Sequence, residues 1–575
     1  MNADPIKIYL ADLTHTGTVI SSNIFPLAIG LVGAYLKEHL EYPLEIELFK
    51  SPEEFNQRLT DDPPAIIGFS NYSWNEQISL AFARRIKQCY PEIVTIFGGP
   101  NYGLEDEEIE SYWSVEPPVD FYIVKEGEEA MLQLVRQLVE YKFDVNRIKN
   151  ERLNIANTHY LHQGEIVNGD IIPRVNVGEL PSPYLAGMMD KFFDDGYIPM
   201  IYTTRGCPFG CAFCTEGNAY YNKVSQREKT LSEELNFIAE HIIDQQELFI
   251  ADANFGMFKQ DIRKAKMIKD IKDKFHYPKN VIVSTGKNQK ERVLNVATIL
   301  DGSLTLAASV QSTDPVVLDN AKRSNINLLT LKEVGAKAAD KAAGTYTEII
   351  LALPGDNKAT HFRTLQDTID AGFDIIRMYQ FILLPQTEFN TPECRKKFDM
   401  VSRYRIMPRS FGRYDLLGEK IIVAETEQIC ISNNTMTLED YLDCRELDLA
   451  VEIIHNGKVF EELSGLIRGL GLSWFEFIEH TFNKRHSAPN SVVEIFARFR
   501  NENTDYLRDS VDEIQSLVTD SFEQLVADEI STNEMSAAKA QATFLIMSDM
   551  HAFVYASAWE FLQQQAALSA EVKKY

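Results

Sequence analysis

The stretch Cys207-Pro208-Phe209-Gly210-Cys211-Ala212-Phe213-Cys214 gathers three of the chain's seven cysteines into eight residues. This Cys-x3-Cys-x2-Cys run makes a cup of three thiolates, with the aromatic Phe213 directly before the last one. A four-iron four-sulfur (4Fe-4S) cluster held by three thiolates keeps one iron open to a ligand that is not protein. A structural zinc site asks for a fourth protein ligand, and the nearest downstream candidate is the distant His241. The cysteine spacing therefore favours an iron–sulfur cluster, with Cys207, Cys211 and Cys214 as its ligands.

The Cys-x3-Cys-x-aromatic-Cys pattern resembles the radical SAM superfamily. That resemblance implies that the open iron chelates S-adenosylmethionine, that reductive cleavage yields a 5'-deoxyadenosyl radical, and that Phe213 packs beside the adenine. Methylthiolation of transfer RNA would need an additional upstream cysteine set, and only Cys89 precedes Cys207.

Outward from the triad, composition narrows the class. The chain has 575 residues, and 45% apolar content is ample for several cores. Cys89, Cys394, Cys430 and Cys444 are scattered without a disulfide framework, which suits a reducing, cytoplasmic compartment. Asp4, Lys7 and Asp12 precede the first apolar run, Phe25 to Leu36, so no signal peptide is expected. Ala542 to Leu562 is apolar but broken by Asp549, His551 and Glu560, which predicts a buried helix and no membrane span. With 57 basic and 84 acidic residues the net charge is -27, which argues against a nucleic-acid partner.

Residues 6 to 141 read as alternating strands and helices, with strands at Ile6–Ala11, Leu44–Phe49, Ala65–Phe69, Ile93–Phe97 and Val119–Val124. Helical periodicity fills the gaps, as at Gln77–Cys89 and Glu128–Tyr141. This alternation predicts a doubly wound parallel sheet whose ligand sits outside the carboxyl ends of the strands. Ser70-Asn71-Tyr72-Ser73, Gly98-Gly99-Pro100-Asn101 and Lys125-Glu126-Gly127-Glu128 follow three of those ends. Gly98-Gly99-Pro100 and Glu126-Gly127-Glu128, placed upstream of the triad, resemble the Rossmann-like cobalamin-binding domain of cobalamin-dependent (class B) radical SAM methyltransferases. The resemblance implies cobalamin contacts at Ser70, Gly98, Gly99, Glu126 and Gly127. The Asp-x-His-x-x-Gly signature is only approximated by Asp12-Leu-Thr-His15-Thr-Gly17, so His15 is not assigned to cobalt.

The fold expected is α/β: a cobalamin-binding-like Rossmann domain over 1–149, a connector over 150–195, a radical SAM partial (β/α)6 barrel over 196–400 and a mainly helical C-terminal domain over 401–575. The connector carries a short hairpin around Gln163-Gly164 and an extended Leu180-Pro181-Ser182-Pro183-Tyr184. Barrel strands are marked at Ile198–Thr203, Glu247–Ile250, Val281–Ser284, Leu304–Ser309, Thr345–Leu353 and Ile375–Leu384, and a capping box is expected at Thr230-Leu-Ser-Glu233. Past Asp399 the apolar spacing of Trp474, Phe475 and Ile478, or Val493, Phe496 and Phe499, is that of helix cores.

Barrel sites lie at the carboxyl ends of strands. Ala251-Asp252-Ala253-Asn254-Phe255 resembles the family's Asp-Asp-Asn-Phe stretch, which implies that Asp252 and Asn254 orient S-adenosylmethionine. Thr285 and Lys287 end the third strand. Ser309, Gln311 and Ser312 end the fourth strand, with Ser309 and Gln311 as candidate cofactor contacts; Gln311-Ser312-x-Asp314-Pro315 resembles the family's fourth-strand segment, while Asp314-Pro315 reads equally well as a helix start. Leu353-Pro354-Gly355-Asp356 and Leu384-Pro385-Gln386-Thr387-Glu388 resemble family turns. Glu348, Arg377, Tyr379 and Gln380 lie on strands that could face the interior, and Glu348 with Arg377 also reads as a structural pair. No acid or base is named.

The resemblance implies cobalamin-dependent methylation of an unactivated carbon on a small-molecule, lipid or natural-product substrate, with an electron donor such as flavodoxin or ferredoxin. A non-methylating radical cyclase, oxidase or rearrangement enzyme, or a non-catalytic iron–sulfur or cobalamin-binding protein, is the alternative.

Overall fold

A computed structural model describes residues 4–304, 306–307, 309–324 and 345–565 of the chain. The N-terminal part is one seven-stranded sheet built from β1 (Ile6–Ala11), β2 (Leu44–Phe49), β3 (Ile66–Ser70), β4 (Val94–Gly98), β5 (Phe121–Ile123), β6 (Thr158–His162) and β7 (Glu165–Asn168). Their order is β2-β1-β3-β4-β5-β6-β7. The first five are parallel, and the order reverses direction between β1 and β3, which sets a crevice at the carboxyl ends there.

Successive side chains along β1 explain why the sheet is covered twice. Ile8 and Leu10 enter one core with α1 (Leu27–His39) and α5 (Glu128–Glu140). Tyr9 and Ala11 enter another with α2 (Pro52–Asp61), α3 (Glu76–Cys89) and α4 (Asp106–Ser114). α2 starts where the Ser51 side chain accepts from the Glu54 N–H at 3.1 Å, with Pro52 in the first turn.

The hairpin expected in the connector forms, but it is part of the sheet: β6 pairs antiparallel with β5 and β7 with β6. A connector reading over 150–195 missed this because periodicity within a hairpin does not say which edge it joins.

The central part holds six parallel strands in chain order. β8 (Met200–Ile201), β11 (Glu247–Phe255) and β12 (Asn280–Thr285) form one sheet, and β13 (Leu306–Ala307), β14 (Thr345–Leu351) and β15 (Ile375–Gln380) another. A parallel bridge between Val281 and Leu304 joins them. The short β9 (Thr204–Arg205) and β10 (Ser225–Gln226) pair antiparallel beside the first sheet. Two residues of the expected fourth strand, 305 and 308, lie outside the described residues. Helix Leu231–His241 follows Thr230, yet no side-chain cap forms there; the Thr230 hydroxyl instead accepts from Arg227 at 2.9 Å. Asp314 does cap its helix, accepting from the Val316 and Val317 N–H groups.

The region after 400 is not helical from its start. β16 (Val401–Leu416) and β17 (Glu419–Ser432) form a long antiparallel ribbon before the helices begin at Leu438. Its tip packs on the N-terminal sheet, where Tyr414, Leu416 and Val423 share a core with α2 to α4. A Cβ on Gly17 would lie 2.6 Å from the Gly412 Cα, so backbone meets backbone at this joint. Glu425 is wholly buried; its carboxylate accepts from the Gln77 N–H at 2.8 Å and the Ile78 N–H at 2.9 Å, capping α3 from a remote strand. His15 lies between Glu425 (3.1 Å) and the Tyr414 hydroxyl (3.0 Å), so both ring nitrogens are engaged.

Trp474, Phe475, Ile478, Phe496 and Phe499 are buried in the helical core. Ala542–Leu562 is two helices rather than one, Glu534–Phe544 and Met547–Gln564, with Phe544 and Trp559 exposed. Among the described residues no helix is long and apolar enough to cross a membrane.

Candidate functional site

The cysteine loop leaves the short β8–β9 segment through a grip at Thr203 and Thr204. Asp252, from the end of β11, accepts from the Thr203 N–H (2.7 Å), the Thr204 N–H (3.0 Å) and the Thr203 hydroxyl. Lys264 holds the same turn from the other side, donating to the Thr203 carbonyl and the Thr204 hydroxyl at 3.1 Å. The resemblance implied that Asp252 orients S-adenosylmethionine, but here its oxygens are spent on the loop that carries the cysteines. Burial pushes the Asp252 carboxyl up, and the hydroxyl and N–H donors, with Lys264, oppose that shift.

Cys207 and Cys211 are buried, Cys214 is half-buried, and no disulfide links them. The side-chain N–H of Asn254 donates to the Cys207 sulfur at 3.2 Å, while the Asn254 carbonyl oxygen is buried without a partner. Lys287 reaches the Cys211 sulfur at 3.6 Å and Arg323 at 3.9 Å. Two cations and an amide donor are what a set of thiolates on an anionic cluster needs in a buried place. Burial and the Glu216 carboxylate push the Cys214 thiol up. Among the described residues no trio of His, Cys, Asp and Glu side chains converges on a single ion; a cube that gives each thiolate its own iron does not ask them to. The donor set fits an iron–sulfur cluster.

The fourth-strand candidates lie on the same rim. Ser309 donates to Glu348 at 2.5 Å, and its carbonyl accepts from Arg323. Gln311 sits in the left-handed region (φ 64°), exchanging backbone hydrogen bonds with Glu348 and Ile350 of β14, and its side-chain carbonyl is buried and unpartnered. Asn254 and Gln311 thus present two orphaned acceptors, which in a native interior call for a ligand or water. Phe213 is half-buried, with the Arg323 guanidinium 6.0 Å from its ring. Arg323 had no signal in the sequence, because it follows a helix and meets Cys211 only in the tertiary structure.

The carboxyl ends of β1, β3, β4 and β5 open into a cavity of about 890 Å³. Ser70, Gly98, Gly99, Glu126 and Gly127 all line it, and so do Met200, Phe249 and Ala251 of the central strands. Its members are not equally free to bind. The Ser70 hydroxyl donates to Asp12 at 2.6 Å and accepts from Asn75 at 2.9 Å. Glu126 accepts from Arg174 at 2.8 Å and the Val175 N–H at 3.0 Å. Gly99 has φ 145°, and a Cβ there would lie 2.3 Å from the Asn71 carbonyl oxygen, so this position needs glycine. Gly98 has no such constraint, its nearest neighbour standing 3.5 Å away. Tyr72, from the quoted loop after β3, stacks at 4.3 Å on Trp74, and Trp74 and Arg205, which the sequence did not single out, complete the wall.

The cysteine loop is the partition between two cavities. Gly206, Thr215 and Glu216 line the large one, while Gly210, Cys211 and Cys214 line a second of about 410 Å³ closed by Gln386, Thr387 and Glu388. On one face of the central strands, Glu348 and Arg377 are register partners 3.9 Å apart and Tyr379 is exposed. Gln380 points the other way, donating to the Tyr441 hydroxyl at 2.6 Å.

No protein-family profile matches the chain. It is 29% identical over 507 residues to a 2-(S-pantetheinyl)-carbapenam-3-carboxylate methyltransferase of Streptantibioticus cattleyicolor, spanning 84% of this chain and 71% of that one. It is 26% identical over 505 residues to the cobalamin-dependent radical SAM methyltransferase TokK of Streptomyces tokunonensis, with the same shares. Among solved structures it superposes on the cobalamin-dependent S-adenosylmethionine radical enzyme OxsB, with aqua-cobalamin and S-adenosylmethionine bound, at a TM-score of 0.55 and 13% identity over 98% of this chain and 85% of that one. With its thiol cup, its sheet-end cavity and these relatives, the chain is similar to the cobalamin-dependent radical SAM methyltransferases.

Proposed function

We propose that this chain is a cobalamin-dependent radical SAM methyltransferase acting on an unactivated carbon of a small natural-product substrate. The observation that carries the reading is the shared wall: the loop of Cys207, Cys211 and Cys214 continues into Thr215 and Glu216, which line the cavity at the sheet ends. When bound, an iron–sulfur cluster, S-adenosylmethionine and cobalamin supply one-electron chemistry at carbon and a transferable methyl group.

The chain's own residues position and insulate. Cys207, Cys211 and Cys214 would hold the cluster, and Lys287 and Arg323 would offset its charge. The unpartnered carbonyls of Asn254 and Gln311 would accept from the amine or ribose of S-adenosylmethionine. Gly99, Gly127, Tyr72 and Trp74 would meet cobalamin, whose base suits the apolar slot of Leu10, Val32, Gly68, Ile96, Ile123 and Met131 between the sheet and its helices. We read the six central strands as a partial barrel whose inner face, with Arg377 and Tyr379 exposed, receives the substrate.

The test is anaerobic purification with iron and cobalamin supplied, followed by metal analysis, ultraviolet–visible spectra, and incubation with dithionite and S-adenosylmethionine. About four irons and one cobalt per chain, with 5'-deoxyadenosine released, are expected. Iron without cobalt would move the chain to non-methylating radical chemistry. A loaded cluster that ignores S-adenosylmethionine would leave a binding protein.

A further inference from the structure

Three cationic side chains line the large cavity, and two of them are already neutralised. Lys50 pairs with Asp12 at 3.3 Å, and Arg205 pairs with Glu128 at 2.7 Å and Glu126 at 3.6 Å. The third, Lys125, forms an ion pair with no carboxylate among the described residues. Its ammonium instead lies over two aromatic faces, 5.0 Å from the ring centre of Tyr220 and 5.8 Å from that of Tyr221.

The backbone commits Lys125 to this position. It has φ 66°, a left-handed conformation that is uncommon for residues other than glycine. Burial without a counter-charge pushes its ammonium down to about 8. A half-buried cation kept next to a cavity is costly to leave unpaired, and a ligand that brings a negative charge removes that cost.

Its place along the strand says which part of a ligand it meets. Ile123, the last residue of β5, lines the apolar slot between the sheet and the helices α1 and α5; Lys125 lies two residues further on, at the slot's mouth. In cobalamin the group that joins the flat base to the corrin is a phosphodiester, which carries a negative charge. The neighbouring carboxylates do not compete for the lysine, since Glu126 is held by Arg174 and Glu128 by Arg205. We propose that Lys125 binds the phosphodiester of the cobalamin nucleotide tail, at the mouth of the slot that takes the base. This rests on the cobalamin reading of the cavity.

The placement also reaches the cysteine loop. The Tyr221 carbonyl accepts from the Cys207 N–H at 3.0 Å, so the ring pair beneath the ammonium belongs to the segment that positions the first cluster ligand.

The experiment is equilibrium binding of two corrinoids to the full chain, followed by corrin absorbance: hydroxocobalamin, and cobinamide, which has the same macrocycle without phosphodiester-linked base. Wild type, Lys125→Met and Lys125→Arg are compared, with the unfolding midpoint as the folding control. Removing one charge-assisted contact is expected to weaken cobalamin binding about tenfold or more in Lys125→Met, to leave cobinamide within about twofold, and to be largely restored in Lys125→Arg. Equal weakening of both corrinoids, or of neither, overturns the assignment while the cobalamin reading stands. Wild-type protein that binds neither corrinoid overturns both together.

Discussion

Replacing Asp252 separates two tasks that the same residue could have. In the structure its carboxylate is 3% exposed and accepts from two backbone N–H groups and one hydroxyl, all of Thr203 and Thr204, which are themselves buried. Hydrogen bonds to a charged group contribute about 1.5–3 kcal/mol each, and they are not additive. Truncation to alanine also strands two buried N–H groups and removes a charge that faces Lys264, a change of the kind that costs about 3–5 kcal/mol. Asp252→Ala is therefore expected to lose about 3–5 kcal/mol in anaerobic urea unfolding and to take up less iron on reconstitution, because the strand end that launches Cys207 loosens. Asp252→Asn keeps an acceptor for the two N–H groups and should lose roughly half as much. S-adenosylmethionine affinity, measured per loaded cluster, should stay at the wild-type value. Full iron content and unchanged stability combined with weakened S-adenosylmethionine binding would refute the scaffold role and restore the ligand contact that the sequence resemblance implied.

Two further perturbations probe the cavity wall and the acid limit of the fold. Gly99→Ala forces a Cβ to 2.3 Å from a backbone oxygen at φ 145° and should cost about 2–4 kcal/mol while abolishing corrinoid binding, whereas Gly98→Ala, with 3.5 Å of space, should bind as wild type; equal behaviour of the pair in calorimetry and titration would contradict this wall. Burial lowers both His159 and His455 to about 4, from the 6.5 they regain on unfolding. The unfolded chain then binds more protons between pH 6.5 and 4, so stability is intact above that window and falls as the pH drops through it, by about 2 kcal/mol per histidine at pH 5. Urea unfolding at pH 7 and pH 5 should show this loss, and His455→Asn should remove one histidine's share; an unchanged difference would show that His455 is not the group taking up the proton.

How far the sequence reached depended on whether a signal was local. β1 and β2 were bounded to the residue by two different local signals: β1 is a mostly apolar run buried over its last four residues, and β2, at the sheet edge, alternates apolar residues with Glu45 and Glu47. The cysteine triad declared itself by spacing alone. The long ribbon β16–β17 was missed: Glu425 and Glu427 are buried on it, Glu425 against His15 and Glu427 against Arg405, so charged residues stand on a face that a sequence pattern reads as exposed. The sheet-edge hairpin was found, but its attachment was not, since register with β5 is a property of two distant segments.

The same distinction separates the ligands of the proposed cluster from the groups that make them usable. Three sulfurs within eight residues need only a loop, but the charge they bear when deprotonated must be answered in a buried site. The answer comes from separate parts of the chain: Asn254 at the end of β11, Lys287 beyond β12 and Arg323 after the helix that Asp314 caps. In the sequence Asn254 and Lys287 are legible only as strand-end candidates without a cysteine partner, and Arg323 does not stand out in its own segment at all. Each becomes specific only because parallel strands in chain order deliver their carboxyl ends to one rim. Lys125 follows the same logic on the N-terminal sheet, where a lone cation at a strand end gains meaning from the neutralised ones around it.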